Sequence, residues 1–157
     1  MSQAALARLP GGGKHDHQRR IHPSALEESK RRLLTNVPRL RSCETFDELH
    51  DLINGIIRPI PKIGELAVYD TALRIGARFG LEPEKVYVHA GTRDGAWALG
   101  FVRRRRTIEM EELPPIRKLT AREAEDLDCI YKSKLRQCDE GSREAAAVVD
   151  PKARTRT

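Results

Sequence analysis

The stretch TFDELHDLINGIIRPIPKIGELAVYDTALRIGARFG, Thr45 to Gly80, decides how this chain folds, and it predicts helix, tight turn, helix. Thr45 with Glu48 three residues on forms a capping box that starts the first helix. Phe46, Leu49, Ile53, Ile56 and Ile57 then recur at helical spacing, while Asp47, Glu48, Asp51 and Asn54 fall on other faces. Pro59 and Pro61 end that helix, because each lacks an N–H and turns the preceding residue away from helical angles. Ile60, Pro61, Lys62, Ile63 and Gly64 make the turn. The second helix is expected to bury Leu66, Tyr69 and Leu73, with Val68, Ala72, Ile75 and Phe79 on an adjoining strip. Asp70, Arg74 and Arg78 form its outer stripe, and Asp70 and Arg74 are a favourable i,i+4 pair. Gly80 supplies a C-cap.

This unit resembles the helix-hairpin-helix motif in the form found in helix-hairpin-helix DNA glycosylases. The family hairpin Leu-Pro-Gly-Val-Gly stands here as Ile60-Pro61-Lys62-Ile63-Gly64. The family's later Val-Asp-x-His segment stands as Val86-Tyr87-Val88-His89 at a similar distance, so the resemblance covers Thr45 to about His89. It implies a phosphate grip, since the hairpin and the start of the second helix present backbone amides at the positive end of a helix dipole. Lys62, Ile63 and Gly64 would present that grip, with Lys62 adding a cation in place of the family's first hairpin glycine. The family's chemistry does not carry over. Its nucleophilic lysine, two residues after the second hairpin glycine, falls on Leu66, which cannot form a Schiff base. Its catalytic aspartate falls on Tyr87, whose ordinary pKa of about 10 keeps it neutral at pH 7.

The rest of the chain fits a small, mainly α-helical domain over residues 23–138, with disordered basic tails at 1–22 and 139–157. In 157 residues there are 29 Lys+Arg against 23 Asp+Glu, a net charge of +6 that favours a polyanionic partner. Aromatics are only 4% of the chain, so the core must be aliphatic. Cys43, Cys129 and Cys138 lack metal-ligand spacing, and their odd number without a signal sequence implies reduced thiols in a cytoplasm. No run approaches the roughly 18 apolar residues of a membrane span, so no membrane partner is expected. Gly11-Gly12-Gly13-Lys14 lacks the spacing and the hydroxyl of a phosphate-binding loop. His15, His17 and His22 have no acidic or cysteine cluster beside them. No metal, cofactor or catalytic group is assigned.

Pro23 to Thr35 reads as a helix with Pro23 at its first position and Ser24 and Glu27 as its capping box. Pro38 then breaks it. Lys85 to His89 is the one place where a strand competes with helix. Thr92 caps a short helix containing Trp97, which is assigned to the core in preference to a base-stacking platform. His89, Thr92 and Arg93 form either a second phosphate contact or a hydrogen-bonded core histidine beside a surface arginine. Arg103, Arg104, Arg105 and Arg106 are the densest charge run and suit phosphate contact, with Glu109, Glu111 and Glu112 able to neutralise part of it. Thr120 and Glu123 cap a last helix with Ala124, Leu127, Ile130, Tyr131 and Leu135 on its buried stripe.

These residues lead to a non-enzymatic, sequence-independent DNA-binding protein, with RNA open as the nucleic acid. Apolar stripes on four helices keep open a second class, a helical module that docks on a partner protein. A third, a nucleic-acid-acting enzyme with relocated groups, would draw on Asp70, Tyr87 and His89.

Overall fold

Helix α1 (Pro23–Thr35) begins where a proline can enter a helix without losing a hydrogen bond. The computed structural model describes residues 21–90, 92–102, 104–113, 116 and 118–130. Apart from Ile21 and His22, the tails expected at 1–22 and 139–157 lie outside the described residues, as do Tyr131, Leu135 and the basic C-terminal end.

The cap of α1 differs from expectation. His22 is the N-cap, and its Nδ1 accepts from the Ser24 amide at 3.3 Å, so Ser24 and Glu27 form no capping box there. Glu27 instead faces Lys30 at 3.4 Å. Pro38 does not end the helical run either. The break comes at Asn36, and Pro38 sits in the first turn of a further short helix, α2 (Val37–Arg41), where its missing N–H costs nothing. Helix α3 (Phe46–Ile57) starts as the sequence predicts: Thr45 Oγ1 accepts from the Glu48 amide at 3.2 Å. Glu48 reaches back to the Glu44 amide at 2.9 Å, one residue before the cap. Helix α4 (Glu65–Phe79) ends at Gly80 in the left-handed region, φ 72°, and the Leu81 amide returns to Gly76 O at 3.0 Å.

The α3 and α4 helices pack against each other through Phe46, Leu49, Ile53, Val68, Tyr69, Ala72 and Ile75, all buried, with Leu26, Leu33 and Leu40 beneath them. Phe46 meets Tyr69 edge-on, ring centroids 6.2 Å apart. Ile56, Leu66, Leu73 and Phe79 are only half-buried, and the buried face of α4 turns instead through Ala67, Thr71 and Gly76. Arg74, expected on the outer stripe, is also half-buried. Burial lowers its pKa, opposed by the charge of Asp70. Arg32 ties α1 to the end of α3 by donating to Ile56 O at 3.3 Å.

The chain divides after Glu84 into two units, Met1–Glu84 and Lys85–Thr157, where the sequence suggests one domain over 23–138. The cause is a strand pair. Strand β1 (Lys85–Tyr87) pairs antiparallel with β2 (Thr107–Glu109), matching Lys85 to Glu109, Val86 to Ile108 and Tyr87 to Thr107. The latter strand was not anticipated. Between them lies α5 (Arg93–Ala98), and after them come a 3₁₀ turn at Met110–Glu112 and helix α6 (Ala121–Ile130), capped by Thr120 and Glu123. Val86, Val88, Ala96, Ile108, Leu113 and Ala124 close a core around this ribbon, so residues beyond Glu84 bury their own apolar surface. Helix remains the main element of the described residues.

Three surface carboxyls make this fold sensitive to acid. Glu28 lies 2.7 Å from both Arg31 and Arg32, whose hydrogen bonds lower its pKa from 4.5 to about 2. Glu112 is lowered by Arg105, and Glu123 by the Thr120 amide and hydroxyl. Each carboxyl prefers the folded state when ionised, so its contribution is complete above the unfolded value of 4.5 and disappears as pH falls through the folded one. Thermal melts should therefore fall as pH drops below 4.5, and Glu28→Gln should flatten part of that fall. An identical slope in the variant would remove Glu28 from the account.

Candidate nucleic-acid interface

The turn between α3 and α4 is held by four hydrogen bonds that define its shape. Arg58 N–H reaches Asn54 O at 3.0 Å, Ile60 N–H reaches Ile57 O at 3.0 Å, and Ile63 N–H reaches Ile60 O at 3.1 Å. From the outside, Arg58 Nη1 donates to Ile63 O at 3.0 Å. Pro61 and Lys62 thus occupy the two central positions of a four-residue turn, with Lys62 at φ 71°. Proline followed by a left-handed residue is the type II pattern, which glycine ordinarily completes. A lysine there costs about 1 kcal/mol in backbone strain.

Lys62 and Gly64 are exposed, whereas Ile63 is buried, 3% exposed, and its amide is already used by the turn. Ile63 therefore anchors the turn and offers no amide to a ligand. What faces outward is the start of α4. Its N-cap, Gly64, has no side chain to cap the helix, and the first regular bond is Val68 N–H to Gly64 O at 3.1 Å. The amides that precede that bond have no carbonyl within the helix to bind. Over residues 58–65 the charged side chains are two cations, Arg58 and Lys62, and one carboxylate, Glu65. Arg58 was not singled out from sequence; its place directly before the Pro59 break, at the foot of the turn, was the available signal.

In the second unit, His89 and Thr92 serve the core. His89 is 2% exposed, and its Nε2 lies 2.6 Å from Oε1 of Glu125, itself buried. Thr92 is fully buried, and its hydroxyl accepts from the His89 amide at 2.9 Å. It makes no side-chain cap to α5, and neither it nor His89 is placed to touch phosphate. Glu125 had gone unnoticed because nothing in its local sequence separates it from the exposed acids Glu123 and Asp126. Arg93 is half-buried at the start of α5, and Tyr87 is buried.

The arginine run is not uniform. Arg105 pairs with Glu112, donates to Thr107 O at 2.8 Å and lies over the Phe101 ring at 5.3 Å from its centroid. It braces β2 to the following turn. Arg104 and Arg106 are exposed, while Arg103 lies outside the described residues. Trp97, assigned to the core from sequence, is 43% exposed. Ala96 beside it is buried instead, in a short helix that packs against α6.

Among the described residues, no helix is long and apolar enough to cross a membrane, and no group of three metal-ligating side chains occurs. No family model, curated protein or solved structure matches this chain.

Proposed function

We propose that this protein binds DNA without regard to sequence, gripping backbone phosphates at the helix-hairpin-helix turn between α3 and α4. The observation that carries the reading is Lys62, an exposed cation held in the left-handed region beside a helix start with no capping side chain. A phosphate there would meet backbone amides, a helix dipole and an ammonium together. Arg58 lends a second positive charge. Arg104 and Arg106 are supplementary phosphate contacts in the second unit, joined by Arg93 and Arg103 as further members of the same basic set. Arg105 contributes less, since Glu112 already neutralises it. No catalytic group is assigned, and no cofactor is needed for such binding.

Fluorescence anisotropy with a short DNA duplex across a salt series tests this, with an RNA duplex in parallel. Lys62→Glu should weaken binding about tenfold or more and reduce the salt slope by about one. Lys62→Gly should do two things at once. Glycine accepts φ 71° freely, so the fold should gain about 1 kcal/mol while affinity falls with the lost charge. A variant that is stabilised yet binds as wild type would remove Lys62 from the interface. Absence of binding at low salt would sink the reading.

A second reading, a module that docks on a partner protein, draws support from the exposed apolar side chains Trp97, Leu99 and Val102. It calls for a stable complex that tolerates salt. An enzymatic reading finds less support, because Tyr87 and His89 are buried and His89 is engaged by Glu125.

A further inference from the structure

We propose that the second unit carries a stacking site for unpaired nucleotides, with Trp97 as the platform and Arg104 and Arg106 as its phosphate contacts. This goes beyond the hairpin grip, which needs only backbone phosphates: it adds Trp97 and shares Arg104 and Arg106 with the supplementary contacts proposed above.

Among the described residues of this unit, the three large apolar side chains most exposed are close neighbours in the chain: Trp97 at 43%, Leu99 at 39% and Val102 at 73%. Their exposure follows from how α5 ends. Gly100 takes φ 90°, and the Phe101 amide bonds back to Ala96 O at 3.0 Å, returning Phe101 to the core. Trp97 and Leu99 lie before that reversal and Val102 just after it, so all three remain outside. The Arg105 amide then closes a turn onto Val102 O at 3.0 Å, with Arg104 exposed within it.

Charge decides what kind of surface meets this patch. From residue 93 to 106 there are five arginines and a single aspartate. Glu112 balances Arg105, yet the segment that carries the exposed tryptophan keeps a cationic excess. The complementary occupant is therefore anionic and offers flat apolar faces. Nucleic acid satisfies both demands where its bases are unpaired; in a duplex the base faces are covered by their own stacking. Aromatic side chains set among cations are the usual means of holding single strands, because every base has a π face while the cations follow the phosphates. Arginine adds to this by stacking as well as by charge. An acidic protein segment is the competing occupant, and the test below distinguishes it.

Trp97 is the only tryptophan in the chain, so its emission reports on the site directly. The full-length protein would be titrated with short oligothymidylate at low salt. The expected result is saturable quenching that weakens with salt. An abasic oligomer of equal length should bind more weakly. Binding followed by anisotropy should fall about tenfold in Trp97→Ala, and Trp97→Phe should retain most of the affinity. Lys62→Glu should weaken duplex binding while saturable quenching of Trp97 by oligothymidylate persists, so a failed hairpin and a failed stacking site give different patterns. Far-UV circular dichroism of Trp97→Ala checks the fold; if that variant unfolds, Trp97→Phe and the abasic oligomer still decide. Unchanged emission with oligothymidylate, equal affinity for the abasic strand, or quenching by poly-glutamate alone would each overturn the proposal.

Discussion

Gly76→Ala is expected to destabilise the first unit by about 2 kcal/mol, against the rule that alanine improves a helix. Gly76 lies on the face of α4 that packs against α3. A Cβ there would stand 2.5 Å from Leu81 O, 3.3 Å from Phe46 Cδ2 and 3.4 Å from Leu49 Cδ2. The two side chains can yield by a few tenths of an ångström. The carbonyl cannot, because Leu81 is fixed by its amide's bond to Gly76 O at 3.0 Å. Adding one methyl group therefore forces open the C-terminal lock of α4 or separates the two helices. Gly55, on the exposed side of α3, is the internal comparison. A Cβ at Gly55 meets nothing within 4 Å, so Gly55→Ala should stabilise by roughly 0.5–1 kcal/mol. Urea unfolding of both variants provides the check. Shifts of the same sign would show that helix propensity, rather than the approach of α4 to Leu81, controls these positions.

Glu125→Ala should cost about 2 kcal/mol, and the loss should fall on the second unit. Its carboxylate lies 2.6 Å from His89 Nε2 in an interior where both residues are nearly inaccessible. The contact joins α6 to the loop after β1, and the same loop is closed by Thr92 Oγ1 on the His89 amide. Removing the carboxylate takes away an acceptor that water cannot replace without opening the core. Glu125→Gln keeps an acceptor oxygen and should lose less. Hydrogen exchange at the β1 and β2 amides, read beside the thermal melt, separates a local loss from a global one. Full protection in Glu125→Ala would mean that the pair contributes little to this unit's cohesion.

Much of the first unit was legible because its signals are local. Thr45 with Glu48, the Phe46–Ile57 spacing, the Pro59 and Pro61 stops and the glycine after Phe79 each act within a few residues. Each yields the element it predicts. Legibility ended where a residue's role depends on distant chain. Strand β2 is three residues long and pairs with β1 at residues 85–87, far back in the chain, so Thr107–Glu109 carries no strand signal of its own. Glu125 looked like any acid on an amphipathic helix until its turn placed it against His89. Trp97 was assigned to the core, yet it is 43% exposed while Ala96 beside it is buried. His22 stands as the cap in place of Ser24, with its ring nitrogen accepting from the Ser24 amide.

The sequence alone determined the charge, the helical pair from Thr45 to Gly80, the turn with Lys62 at its tip and the capped starts of α3 and α6, because short-range sterics and hydrogen bonding settle those features. Tertiary structure decided the division after Glu84, the burial of Ile63, His89, Thr92 and Glu125, the bracing of Arg105 by Glu112 and the exposure of Trp97. Burial and pairing depend on which surfaces meet across many residues, and periodicity within one segment carries no record of its partner.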